Sequence, residues 1–307
     1  MWKERMKRGR VAIVGFGKLG TACAYALQQD EEFVLAGIIR RPERLKEKLP
    51  TAFANMPVVA HVSELQAVDA ALLCVPAEQV AGVAHDLMQR KIPIVECAVF
   101  NGEAWRHHKD ELDRIANRYR VPAVVGAGWD PGAMSLLRSL FALLIPQGAT
   151  EVTHRPGVGL HHTTLADTVV GVKGALATER RTAVGGRQRY VYVELEDGAE
   201  FGQVEDAIRN DPLFLGEEII IFQVDSVAAL EEEGHGVVLE RHGSSGEVGH
   251  QSLLLEARFA ESVLSAQIML AGTRALATCN PGAYSLFDLS PGLLWGEWRT
   301  QAEREWL

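Results

Sequence analysis

Apolar and polar positions follow two rhythms along the chain, and the change falls near Gly128. Before it, short apolar runs alternate with helical patterns. Val11–Val14 is brief and rich in β-branched residues, so it reads as a buried strand. Leu19, Cys23, Ala26 and Leu27 then share one helical face, and Phe33–Ile39 is a second apolar run that closes a βαβ unit. Strand candidates continue at Val58–Val62, Val68–Pro76, Ile92–Cys97 and Pro122–Val125, with helical patterns over Ala77–Arg90 and Glu103–Arg118. Such alternation predicts a parallel, doubly wound sheet that takes its ligands at the carboxyl ends of the strands.

Beyond Gly128 a helix over Met134–Ile145 stops before Pro146, and strands then follow one another. They are placed around Ala175–Arg181, Arg187–Glu196, Glu218–Ser226, Gly236–His242 and Ser252–Phe259. The alternation in Tyr190–Leu195 predicts a mixed or antiparallel sheet with one solvated face. That open sheet is a candidate dimerisation surface. A long helix over Glu261–Thr278 follows, and the tail from Pro281, with Trp295 and Trp298, is expected to pack back on the first domain.

Between the first strand and the first helix stands Gly15-Phe16-Gly17-Lys18-Leu19-Gly20, a G-x-G-x-x-G in the strand-turn-helix setting the motif requires. Gly15 allows the tight turn, Gly17 lets backbone approach a pyrophosphate, and Gly20 lets helix and strand pack closely. The helix N-terminus offers free N–H groups and a positive dipole end to the phosphates. An NAD-binding unit carries an acid at the end of its second strand. Here that place reads Ile39-Arg40-Arg41-Pro42, and two guanidiniums suit the 2′-phosphate of NADP. Cys74-Val75-Pro76 ends a strand where the sheet meets the nicotinamide half. The expected fold class is therefore α/β: an N-terminal Rossmann dinucleotide-binding domain, 1–126 plus 270–307, and a second α+β domain, 127–269, built on a mixed or antiparallel sheet.

Composition narrows the classes. The 307 residues, 47% hydrophobic and 23% charged, can bury a sizeable core. A net charge of −9 argues against a nucleic-acid surface. Cysteines 23, 74, 97 and 279 show no metal-finger spacing, and buried thiols in a reducing compartment are expected. The basic first ten residues lead into no apolar signal segment, and no stretch approaches a membrane span. A cytoplasmic protein is expected. The adjacent pair His161-His162 lacks a third ligand at metal spacing, so no metal is expected.

The loop Gly126-Ala127-Gly128-Trp129-Asp130-Pro131-Gly132 ends a strand where substrate meets cofactor in this architecture. Asp130 is open to two roles that can coexist. It can face the site, or cap a helix that starts at Pro131.

At this point the chain resembles meso-diaminopimelate dehydrogenases, which deaminate the D-centre of meso-2,6-diaminopimelate with NADP. The resemblance rests on RVAIVGFGKLG, Arg40-Arg41, ALLCVP (71–76), AGWDPG (127–132), Pro156-Gly157 before a His-rich turn, RYVYVELE (189–196), GHGVVLER (234–241) and SAQIM (265–269). It implies a homodimer and a middle domain that closes over a small amino-acid substrate. It also implies that Trp129 and Asp130 contact the reacting D-centre and that Arg189 meets the distal carboxylate. Further substrate contacts implied are Pro156, Gly157, His162 and Thr178, and His250 at or one position from a distal-site histidine.

Several positions depart from the family. Of a carboxylate pair, one is kept as Glu96 and the other is Val99. An aromatic becomes His154 or Arg155, a threonine aligns with Glu179 or with Thr178, and Asn-Pro becomes Phe259-Ala260-Glu261. Asp130 and Glu96 are the carboxylates expected to bind the substrate ammonium and help remove its proton. The departures keep other readings open: a related dehydrogenase of another D-amino acid, diamine or imine, or a non-catalytic NADP-binding sensor.

Overall fold

The computed structural model describes residues 8–155, 166–181, 187–212, 214, 218–232, 235–296 and 299–306. The chain divides into two compact units, Met1–Ser139 with Glu261–Leu307, and Leu140–Ala260. The sequence reading drew these limits at 126/127 and 269/270. Among the described residues no helix is long and apolar enough to cross a membrane.

The first unit is built on a seven-stranded sheet in the order β13-β6-β5-β4-β1-β2-β3. Its strands are β1 (Gly9–Val14), β2 (Phe33–Ile39), β3 (Val58–Val59), β4 (Ala70–Leu73), β5 (Ile94–Glu96), β6 (Pro122–Val124) and β13 (Gly282–Tyr284), every pairing parallel. Helices α1 (Lys18–Gln29), α2 (Ala77–Gln89) and α3 (Glu103–Tyr119) form the crossovers. Central strands of a parallel sheet are covered on both faces, which is why β4 is apolar and buried at all four positions. One core layer holds Val11, Ile13, Leu27, Val95 and Val124; the other holds Val14, Leu73, Leu87, Ile94 and Leu112.

The helix Glu261–Leu276 returns to this unit and packs beside α1, burying Ala266, Met269 and Leu270. Gly272 lets it lie close on the sheet, because a Cβ there would stand 3.2 Å from Val124 and 3.3 Å from Val95. The tail adds β13 beside β6, with Gly282 opposite Pro122. A three-residue strand has too little period to be seen in sequence, and the tail was expected only to pack back. Trp295 is described here, and Trp298 lies outside the described residues.

In the second unit the strands make two three-stranded sheets, where the sequence reading expected one. The order β10-β9-β8 joins Glu218–Gln223, Arg187–Leu195 and Val172–Arg181, mixed in direction. The order β12-β11-β7 joins Val248–Phe259, His235–Ser245 and Gln147–Arg155, all antiparallel. Neither β7 nor the helix Phe201–Arg209 was expected. The helix repeats apolar residues at Phe201, Val204 and Ile208, and it buries the last two against Ala177, Val191 and Val193. Arg241 anchors the antiparallel sheet through Nε to the Ile145 carbonyl at 2.6 Å and through its guanidinium to Thr150 Oγ1 at 2.6 Å.

Candidate active site

The dinucleotide cradle forms where β1 ends. Gly15 has φ +88°, and a Cβ there would collide with the Cys74 carbonyl oxygen. A Cβ on Gly20 would collide with the Gly15 carbonyl oxygen, so helix and turn can meet only through glycine. Gly17 differs: nothing lies within 4 Å of its would-be Cβ. It caps α1 with no side-chain hydrogen bond and no acid in the first turn. The open Gly17, exposed Lys18 and bare helix end fit a diphosphate, whose oxygens need N–H donors and close backbone.

The two arginines after β2 divide their work. Arg40 is 8% exposed. Its guanidinium donates to the carbonyls of Glu47 at 3.1 Å and of Arg44 and Phe16 at 3.5 Å, and it stacks 5.0 Å from the Phe16 ring centre. Arg40 therefore holds the turn and the ring of the fingerprint loop in place, a correction to its expected grip on a 2′-phosphate. Arg41 is exposed, with no side-chain partner among the described residues. Cys74 and Val75 line the end of β4 half-buried, and Pro76 caps α2. Cys74 Sγ donates to Cys23 Sγ at 3.8 Å, and this bond and burial push its thiol well above its usual value. Burial, with the Glu96 charge second, does the same to Cys97.

Glu96 ends β5 fully buried. One carboxylate oxygen accepts the Gly126 N–H at 2.8 Å and the other the Ala98 N–H at 2.5 Å. His108 Nε2 lies 3.3 Å from Oε1, but it makes no hydrogen bond there. This geometry overturns the expectation that Glu96 meets a substrate amine: the carboxylate is sealed inside and spent on the loops after β5 and β6. Val99, in contrast, is 61% exposed.

The loop after β6 closes on itself through Gly128 N–H to the Pro131 carbonyl at 3.2 Å and Met134 N–H to the Trp129 carbonyl at 2.8 Å. Gly132, at φ +137°, leaves no room for a side chain beneath the Gly128 carbonyl. Trp129 is buried, its backbone N–H donating to Ser265 Oγ at 3.1 Å. Helix α4 (Ala133–Leu144) starts after Gly132, so Asp130 is not its cap. Instead Arg138 holds Asp130 in a two-pronged pair, Nη1 to Oδ1 at 3.0 Å and Nη2 to Oδ2 at 2.9 Å. The spacing of eight crosses a turn that follows neither helical nor strand period, so sequence could not show this partner. Asp130 and Arg138 line a cavity of about 440 Å³ together with Phe100, Trp105, Ser135 and Phe287. Glu103 and Arg106, paired at 3.5 Å, line it as well, so aromatic walls and two ion pairs offer both signs of charge to a small zwitterion.

The remaining expected residues lie in the second unit. Arg189 is buried at 7%, and the strand register pairs it with Glu179. Thr178 is paired with Tyr190, and it is buried. Successive residues of a strand point to opposite faces, so Thr178 and Arg189 cannot grip one carboxylate together. His250 is exposed at φ +57° in the other sheet, beside the irregular pairing near the Gly246 turn. Pro156, Gly157 and His162 lie outside the described residues. No cluster of His, Cys, Asp and Glu that could hold a metal occurs among the described residues.

Comparison with known proteins gives one family model, described as a CoA binding domain, over residues 6–99. The meso-diaminopimelate D-dehydrogenase of Bacteroides fragilis is 35% identical over 293 residues, covering 94% of this chain and 97% of that protein. That of Lysinibacillus sphaericus is 28% identical, covering 97% and 99%. The fold matches DAP dehydrogenase of Corynebacterium glutamicum in complex with DAP, TM-score 0.76 at 21% identity, covering 98% of this chain and 100% of that one. It also matches an engineered D-amino acid dehydrogenase bound to NADP+, TM-score 0.74 at 21% identity, with the same coverage.

Proposed function

The chain belongs to the meso-diaminopimelate D-dehydrogenase family, and we propose that it oxidatively deaminates the D-centre of meso-2,6-diaminopimelate with NADP, reversibly, giving a 2-keto acid and ammonia. The observation that carries this reading is the Trp129-Asp130 loop, which follows β6 and turns a part-exposed carboxylate into an aromatic-walled cavity.

The chain's own residues have distinct tasks. Gly15, Phe16, Gly17, Lys18, Leu19 and Gly20 hold the diphosphate, and Arg41 takes the 2′-phosphate as a planar donor. Arg40 keeps Phe16 and the 42–47 turn in register for it. Cys74, Val75 and Pro76 support the nicotinamide end. Bound there, NADP supplies the hydride acceptor. Trp129 excludes water beside the reacting carbon, and Asp130, fixed by Arg138, attracts the substrate ammonium. Arg189, with Pro156, Gly157, His162 and His250, serves the distal centre. Water then adds to the imine carbon and ammonia leaves.

The enzyme works in the cytoplasm as a homodimer. Four free thiols support a reducing compartment, and the exposed Leu143, Leu144, Val248 and Leu254 of the second unit supply apolar surface for a partner copy.

One observation favours a second reading. Arg189 and Thr178 stand on opposite faces of their sheet, because Thr178 pairs with Tyr190 and the next residue with Arg189. A distal carboxylate that meets Arg189 without the Thr178 hydroxyl is bound weakly, which favours simple D-amino acids. NADPH formation at mildly alkaline pH with meso-diaminopimelate and a D-amino acid panel separates the readings. Turnover on meso-diaminopimelate supports the first, turnover on the panel alone the second. Tight NADP binding with no turnover on either refutes both.

A further inference from the structure

The site needs a proton acceptor, and the two carboxylates expected for it are committed elsewhere. A primary amine can release hydride from its α-carbon only when its nitrogen lone pair is free, so the substrate ammonium must first lose one proton. Glu96 is sealed on two backbone N–H groups. Asp130 has both oxygens engaged in the fork of Arg138.

A third carboxylate stands beside the same loop. Glu261 opens the helix Glu261–Leu276, and Ser265 follows it by one turn on the same face. Ser265 Oγ accepts the Trp129 N–H at 3.1 Å, and it would lie 3.7 Å from a Cβ on Gly128. The face carrying residues 261 and 265 is thus applied to Gly128–Asp130. Glu261 is half-buried, with no hydrogen bond or ion pair among the described residues. An unpartnered carboxylate in such a place costs stability unless a ligand uses it.

We infer that Glu261 is the group that takes the proton from the substrate ammonium, with Asp130–Arg138 as the fixed ion pair beside it. The inference rests on the dehydrogenase reading above. In the step, an N–H bond breaks and its electron pair stays on nitrogen, while the proton forms an O–H bond on Glu261. The α-hydrogen then leaves with its bonding pair to NADP, which is reduced, and the nitrogen lone pair closes the C=N bond of the iminium. Water hydrolyses the iminium to the keto acid and ammonium.

The groups that face Glu261 support this assignment. Burial first, and the Asp130 charge second, hold its carboxyl above the usual 4.5, nearer the pH at which a base is both free and strong enough. Arg138 acts on Asp130 from α4. Cys97 at the end of β5 feels Glu261, and its own thiol stays neutral.

The test is Glu261→Gln beside Glu261→Asp, with kcat measured against pH, NADP affinity by quenching of tryptophan fluorescence, and thermal unfolding. Glu261→Gln is expected to lower kcat by about 100-fold or more and to remove the acid limb of the pH profile. Glu261→Asp should restore that limb at reduced rate, with NADP affinity unchanged in both. Wild-type turnover with a variant that keeps its rate and its acid limb refutes the inference alone. A wild type that binds NADP but oxidises no amine refutes the dehydrogenase reading and the inference with it.

Discussion

Replacing Glu96 by glutamine distinguishes an internal anchor from a catalytic acid. The side chain is fully buried and accepts Ala98 N–H at 2.5 Å and Gly126 N–H at 2.8 Å. Hydrogen bonds to a charged group contribute about 1.5–3 kcal/mol each. Glutamine keeps the shape but offers one acceptor oxygen, so whichever way the amide turns, one backbone N–H meets an NH₂. The expected loss is roughly 2–4 kcal/mol, a lost charged bond plus part of the desolvation of the stranded N–H. For a body of this size each kcal/mol moves Tm by about 2–4 °C, so Tm should fall by about 5–12 °C. Thermal and urea unfolding at neutral pH measure it, with kcat and NADP affinity on the same samples below the transition. A variant with wild-type Tm and a kcat reduced 100-fold would overturn the anchor and return Glu96 to the chemistry. Wild-type values of both would show that neither bond matters.

Three further outcomes follow from the geometry. Arg41→Ala should weaken NADP binding by about 10–100-fold and leave NAD binding unchanged, the loss of one or two charged hydrogen bonds. Arg40→Ala should instead lower Tm, since its donors hold the carbonyls of Phe16 and Glu47; dye-monitored melting and fluorescence titration separate the two. Gly17→Ala should melt like wild type, because nothing stands near its new Cβ, yet lose NADP affinity as the methyl enters diphosphate space. Equal losses of Tm in Gly17→Ala and Gly20→Ala would refute the cradle. Glu261 should also show in the pH dependence of stability. A carboxyl raised in the folded state binds more protons folded than unfolded between its two values, so its ionisation costs stability as pH climbs through that window. Glu261→Gln should therefore melt higher than wild type at pH 7, and the difference should vanish below the unfolded carboxylate value of 4.5.

The nucleotide half was legible because its parts are consecutive. The strand Val11–Val14, the fingerprint, α1, β2 and the arginines occupy one unbroken stretch, and each glycine's task follows from its place in a local turn. The strand limits fell within a residue or two of those expected, except where Val58–Val62 contracted to Val58–Val59 and Val68–Pro76 to Ala70–Leu73. Elsewhere the local signal was weak or misleading. β13 has three residues, and two sheets in the second unit produce the same alternation as one.

Sequence by itself determined the residue types at the site: a carboxylate and an indole in AGWDPG, an arginine pair after β2, an arginine opening the Arg189 segment. Tertiary structure alone decided what each is paired with. Parallel pairing of β5 with β6 brings Gly126 over Glu96 and seals a carboxylate that looked catalytic. The turn at Gly132 swings Arg138 onto Asp130. The return of a helix from far along the chain sets Ser265 under Trp129 and Glu261 beside Asp130. A carboxylate's role depends on its solvation and its neighbours' charges, and those are properties of the folded surroundings, not of the residue.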